Sequence, residues 1–215
     1  MWRRPLVDQH FQWLAYSTVV NDKEALTSVK IHDVIARRWS PRALDGEAEV
    51  TPEQLRALLE AARWAPSFGN TQPARYLVGL RGDETYKRIL DSLTESNRSW
   101  AHRAGALLLG CAVTRNEKGT VPYAEYGLGL ASENLVLQAV AEGLAARQMA
   151  GFDRDAAREA FELPDGVDPL VVIAVGVRAE PEVLGTTKDI ERENAPRVRV
   201  PLEQFALRDW GTAAF

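Results

Sequence analysis

The stretch TPEQLRALLEAARWAPSFGNTQP, residues 51–73, decides how the chain folds. Its first half predicts a helix with a well-specified start. Thr51 suits the N-cap, Pro52 the first helical position, and Gln54 stands where its side chain closes a capping box. Leu55, Leu58, Leu59 and Ala62 then recur at i, i+3, i+4 and i+7, an apolar stripe that must face a core. The pattern stops before Pro66, whose ring disfavours helical backbone in the residue ahead of it. The second half, Ala65-Pro66-Ser67-Phe68-Gly69-Asn70-Thr71-Gln72-Pro73, is turn chemistry that separates the helix from the next element.

Outward from that stretch, residues 75–80 predict a strand, 84–93 a helix and 106–113 a strand that is apolar throughout and hence buried on both faces. Residues 124–142 form the longest predicted helix, residues 146–149 a short strand, 153–161 a helix and 170–177 a second uniformly apolar strand. Upstream, Ile31, Val34 and Ile35 share one helical face within residues 28–37, and residues 5–20 are expected to form a helix or an arm. Beyond Pro181 the chain is polar with weak periodicity. Helices interleaved with a few buried strands indicate an α+β or mixed-sheet layered domain. The long helix is small or apolar all round and carries Gly127 and Gly129, which weaken a helix unless another backbone approaches closely. Burial against the same helix of a second subunit is the simplest solution; a central core helix in a monomer is the alternative.

Composition narrows the function. The 215 residues contain 26 basic and 30 acidic groups, a net charge of −4, which opposes broad nucleic-acid binding. The one cysteine, Cys111, lies in an apolar run and excludes an internal disulfide or a cysteine-based zinc cluster. That run is too short to span a bilayer, and Met1-Trp2-Arg3-Arg4 leads into polar residues, so a cytoplasmic protein with no membrane partner is expected. His10, His32 and His102 lack metal-ligand spacing, so no metal site is expected. There is no phosphate-binding Walker loop and no nucleophile elbow, and Gly127-Leu128-Gly129 lies in a helix without the preceding strand of a dinucleotide fingerprint.

Polar clusters remain. Arg38, Ser40 and Arg42 place two guanidiniums and a hydroxyl at a predicted helix end; taken alone, they also describe a solvated basic terminus favoured by the helix dipole. Arg197 and Arg199 alternate with Val198 and Val200, so both guanidiniums fall on one side of an extended segment, or on a solvated strand edge. Met149-Ala150-Gly151-Phe152-Asp153 joins a strand to a helix, with Asp153 a ready N-cap.

In order and spacing, Arg38-x-Ser40-x-Arg42, the Ala65-Pro66-Ser67…Asn70-x-Gln72-Pro73 loop, Gly151-Phe152-Asp153 and Arg197-x-Arg199-x-Pro201 resemble the FMN-dependent nitroreductase family over roughly residues 28–205. The resemblance implies a three-layer α+β fold, a central mixed or antiparallel sheet flanked by helices, in an intertwined homodimer with two active sites at the subunit interface. It implies that Arg38, Trp39, Ser40, Arg42, Arg197 and Arg199 bind FMN through its phosphate and ribityl chain. Pro66, Ser67, Phe68, Asn70 and Gln72 would hold the flavin ring or ribityl hydroxyls, and Met149, Ala150 and Gly151 would bring a backbone N–H to flavin N5, with no side chain acting as a catalytic group. Trp39 stands where the family often has Arg or His, Ala150 where many relatives are acidic, and Phe68-Gly69 replaces the commoner Ser-Ser/Thr.

The activity implied is an NADH- or NADPH-dependent oxidoreductase that reduces nitroaromatics, quinones or similar flat electrophiles by ping-pong hydride transfer through the flavin. The alternatives are a related flavoenzyme performing desaturation, dehalogenation or flavin breakdown, or a non-catalytic flavin-binding protein. Phe68, Trp39, Tyr123 and Tyr126 are candidate pocket walls, and residues 114–123 a candidate lid. The expected organisation is an extension or arm at 1–27, the FMN-binding domain at 28–205, and a tail at 206–215. Large apolar groups from Leu202 to Phe215 suit docking of that tail on a partner subunit.

Overall fold

The structure is a computed structural model, and residues 23–215 are described. The arm expected at 5–20, and His10, lie outside the described residues. Helix α1 (Asp33–Arg37) leads to α2 (Pro52–Arg63), whose start is as the sequence specifies: Thr51 Oγ1 accepts from the Gln54 amide at 3.2 Å while the Gln54 side chain accepts from the Thr51 amide at 3.0 Å. Strand β1 (Ala74–Leu80) and α3 (Glu84–Ser92) come next, and then a helix that periodicity does not signal, α4 (Glu95–Ala101). The chain continues through β2 (Ala106–Val113), a small hairpin of β3 (Arg115–Asn116) and β4 (Gly119–Thr120), α5 (Ala124–Ala141), β5 (Ala145–Met149), α6 (Arg154–Ala160) and β6 (Val167–Gly176). The candidate lid at 114–123 is therefore built around the β3–β4 hairpin. Beyond Pro181 lie α7 (Thr187–Asn194), α8 (Leu202–Phe205) and a hairpin of β7 (Leu207–Asp209) and β8 (Thr212–Ala213).

β1, β2, β6 and β5 pair in that spatial order, every pair antiparallel. A mixed sheet is thereby resolved as an antiparallel one. Apolar runs normally mark parallel strands because helices cover both faces of such sheets; here both faces are covered although the sheet is antiparallel. Alternate residues divide between two cores. Leu107, Leu109, Val172, Ala174 and Met149 pack with Ile89, Leu93 and Trp100 on the α3–α4–α6 side. Ala106, Leu108, Ile173, Val175 and Ala146 pack with Leu58, Leu135 and Val136 on the α2–α5 side. Three layers result, held mainly by removal of this apolar surface from water. β6 starts earlier than its apolar run, and within that start Pro169, which lacks a donor, sits at a bulge opposite Cys111.

Gly127 shows how the site is positioned. A β-carbon there would lie 2.7 Å from Pro73 Cγ, so the glycine lets the 66–73 loop seat directly on α5. The close approach that the sequence pattern requires at Gly127 is thus met inside the chain. At Gly129 a β-carbon would meet nothing within 4 Å.

Candidate active site

Two polar clusters assemble on this frame. The first gathers segments distant in sequence. Arg38, at the C-cap of α1, donates to Ser40 Oγ at 3.3 Å and lies 3.7 Å from the Glu133 carboxylate on α5. Gln148 on β5 also donates to Glu133, at 3.3 Å. Arg197 anchors the downstream segment by donating to the Ala36 carbonyl at 2.8 Å and the Lys23 carbonyl at 2.7 Å. Its proton affinity falls below the ordinary arginine value because it is partly buried and because Arg38 and Arg199 oppose its charge. Arg197 is therefore close enough to both Arg38 and Arg199 to feel their charge, and Glu133 is paired to Arg38. Arg42 also lies in this region, its amide held by Glu193 at 2.9 Å. The Trp39 ring sits beneath Lys23 Nζ, 4.6 Å from its centroid, and lines cavities with Pro41 and Arg178.

The second cluster is the 66–73 loop. Ser67 Oγ accepts the Gln72 amide at 2.9 Å, and the Gln72 side chain donates to the Asn70 carbonyl at 3.2 Å, closing the loop on itself. Gly69, Asn70 and Gln72 adopt φ of 53°, 56° and 49°. For Asn70 and Gln72 this left-handed conformation costs about 1–2 kcal/mol each, strain of the kind concentrated at functional sites. Tyr123, the N-cap of α5, is also left-handed at φ 55°, and its ring meets that of Phe68 at 5.2 Å. Both rings and that of Tyr126 are solvent-exposed. Ser67, Gln72, Pro73, Arg75, Gly127 and Ala131 border a cavity of about 80 Å³. Among the described residues no hydrogen bond, ion pair or ring contact joins this loop to the arginine cluster.

The strand–helix turn completes the set. Met149 is buried, Ala150 exposed, and Asp153 caps α6 through bonds to the amides of Asp155 and Ala156. The Gly151 carbonyl accepts from Thr94 Oγ1 at 3.0 Å and from Asn97 Nδ2 at 2.9 Å, so α4 pins the turn in place. Neither the Ala150 nor the Gly151 N–H donates to another group among the described residues. Thr94, Asn97, Glu133, Gln148, Arg147 and Glu193 had no signal in the sequence, because each acts through a partner remote along the chain. No cluster of metal-ligating side chains occurs among the described residues, and no helix there is long and apolar enough to cross a membrane.

A three-layer antiparallel fold with an arginine cluster, a strained amide loop and a pinned strand–helix turn defines a class, and the family model agrees: the chain belongs to the nitroreductase family, matched over residues 35–107 and 87–177. It is similar to a solved oxidoreductase containing FMN, with a TM-score of 0.80 and 28% identity, covering 88% of this chain and 97% of the other. An uncharacterised 15.4 kDa protein of Mycolicibacterium smegmatis is 38% identical over 146 residues, 64% of this chain and 97% of the relative. A protein of Archaeoglobus fulgidus with the provisional name NADH dehydrogenase/NAD(P)H nitroreductase is 25% identical over 134 residues, 60% of this chain and 75% of that one.

Proposed function

We propose that the chain is an FMN-binding oxidoreductase that passes electrons from NADH or NADPH to flat electrophilic acceptors such as nitroaromatics or quinones. The observation that carries this reading is the convergence of remote basic groups: Arg38 donates to Ser40, and Arg197, anchored on the Ala36 carbonyl of the same helix, lies near enough to Arg38 and Arg199 for their charge to oppose its own. Like charges held together at the expense of desolvation call for a multiply charged anion, and a phosphate dianion suits guanidinium forks and a hydroxyl. The relative that contains FMN supports the choice of ligand.

In this reading Arg38, Ser40, Arg42, Arg197 and Arg199 hold the phosphate and ribityl end, with Trp39 stacking behind them. Pro66, Ser67, Phe68, Asn70 and Gln72 offer preset amide and hydroxyl groups to the ring edge, their conformational cost already met in the folded chain. Met149, Ala150 and Gly151 present backbone donors, held by Thr94 and Asn97 as a fixed dipole. Bound FMN supplies the hydride chemistry, so the protein contributes binding, orientation and exclusion of water. Phe68, Tyr123 and Tyr126 form an aromatic wall on which a flat acceptor stacks.

No hydrogen bond, ion pair or ring contact among the described residues joins the arginine cluster to the 66–73 loop, and in this reading each site draws on two copies of the chain in a homodimer. The exposed side of α5 around Gly129 faces the partner, which gives that glycine its reason. The tail at 206–215 docks on the partner, covering Trp210 and Phe215, which are 98% and 84% exposed in the single chain. Residues 28–205 form the FMN-binding domain and 1–27 an extension; of the latter, the Ala25 amide donates to the Ala36 carbonyl of its own chain at 2.9 Å. A cytoplasmic setting accords with the nicotinamide donor.

The test is the absorption spectrum of the purified protein, and then NADH and NADPH oxidation with a quinone. Flavin absorbance released as FMN by heat, and nicotinamide consumption above background, are expected. A yellow protein that consumes neither nicotinamide overturns the reductase reading and leaves a specialised or non-catalytic flavin protein; a colourless protein that takes up no FMN overturns the whole.

A further inference from the structure

Glu193 on α7 is 3% exposed, a buried carboxylate that the proposed cofactor contacts do not use. One oxygen accepts two backbone amides, those of Arg42 at 2.9 Å and Ala43 at 3.0 Å, which lie 151 and 150 residues away along the chain. A buried charge is costly unless it is paired and hydrogen-bonded. Here Lys23 and Arg147 both attract it, and Lys23 Nζ donates to the main-chain carbonyls of Glu193 and, at 2.7 Å, of Ala195. Arg147 on β5 grips the same segment: it donates to the Ser40 carbonyl and stacks 5.5 Å from the Trp100 ring centroid. Burial and the nearby Arg42 hold the Arg147 guanidinium down to about 10, so this cation, too, is retained against a cost.

Stability alone does not require such a pair, since apolar groups of similar volume fill a core equally well. Its location is informative. The backbone between Ser40 and Ala43 is held at one end by a partly buried cation and at the other by a buried anion, and it carries Ser40 and Arg42. The carboxylate belongs to the segment that continues directly into Arg197 and Arg199. We propose that Glu193 is a positioning residue that fastens the 40–43 segment to the 193–199 segment, so that the arginines and serine of both keep one geometry before any ligand arrives. This rests on the FMN reading for its purpose but not for its geometry.

The test compares amide hydrogen exchange in the wild-type chain and in Glu193→Ala and Glu193→Gln variants without added flavin, and then titrates FMN into each by fluorescence quenching. In Glu193→Ala the Arg42 and Ala43 amides are expected to exchange about tenfold to a hundredfold faster, the worth of hydrogen bonds to a charged group, and FMN binding to weaken. Glu193→Gln keeps an acceptor oxygen and removes a negative charge beside the arginines. It is expected to retain protection of both amides and to bind FMN at least as tightly as wild type. If the alanine variant does not fold, Glu193→Asp replaces it, keeping the charge but withdrawing the oxygen. Unchanged exchange in the alanine or aspartate variant, or equal weakening by glutamine, overturns the proposal. Failure of the wild type to take up FMN overturns the flavin reading alone, and the exchange result still decides the lock.

Discussion

Replacing Arg197 with alanine separates cofactor binding from fold stability. The guanidinium makes two charge-assisted bonds to main-chain carbonyls, at 2.7 and 2.8 Å, each worth about 1.5–3 kcal/mol at most and less where solvent screens the group. Against these stand its partial desolvation and repulsion from Arg38 and Arg199, both of which vanish with the side chain. The opposing contributions are of similar size, so the unliganded variant is expected to melt within about 4 °C of wild type, about 1 kcal/mol for a chain of this length. FMN binding has no such compensation. Loss of one charge-assisted contact to phosphate costs about 1.5–3 kcal/mol, which raises the FMN Kd by roughly tenfold to a hundredfold. Arg197→Lys retains the charge without the fork and is expected to fall between the two. Differential scanning fluorimetry without flavin and fluorescence titration with it measure the two quantities. A variant that binds FMN within twofold of wild type would refute the reasoning, because the cluster would then be repelling itself for another purpose.

Three further outcomes are expected. Gly127→Ala drives a β-carbon to 2.7 Å from Pro73 and should destabilise by about 1–3 kcal/mol, read as a lower melting temperature. Gly129→Ala meets open space in the single chain and should leave that chain at least as stable, while sedimentation should show a weaker dimer. Tyr76, buried beside Ser132, has its phenol pushed from 10.0 up to about 12, mainly by burial. A folded pKa above the unfolded one contributes stability that is present below pH 10 and lost as pH rises through 12, about 2–3 kcal/mol for this group. Urea midpoints across pH 9–12 should therefore fall more steeply for wild type than for Tyr76→Phe.

The elements that the sequence made legible are those whose signals are local. Thr51, Pro52 and Gln54 name a helix start because cap, proline and box act within one turn, and the apolar run of β2 names a buried strand because its eight residues are nearly all buried. Helix α4 escaped because its buried face rests on Trp100 and Ala101 alone, too little for a period. Helix α7 escaped because its one buried side chain is the carboxylate of Glu193, which hydrophobic patterning scores as surface.

By itself the sequence determined which residue types were available to a site: arginine with serine near 40, amides in a proline-bounded loop, and two arginines on one side of an extended segment. Those come from spacing along a chain whose local geometry is nearly fixed. Only the tertiary structure decided which of them act together. It ran the sheet antiparallel, brought Arg197 beside Arg38, and answered Gly127 with Pro73 of the same chain. It also placed a buried carboxylate against amides some 150 residues away. Charge repulsion, close packing and desolvation act through space, and no pattern read along the chain encodes the distances on which they depend.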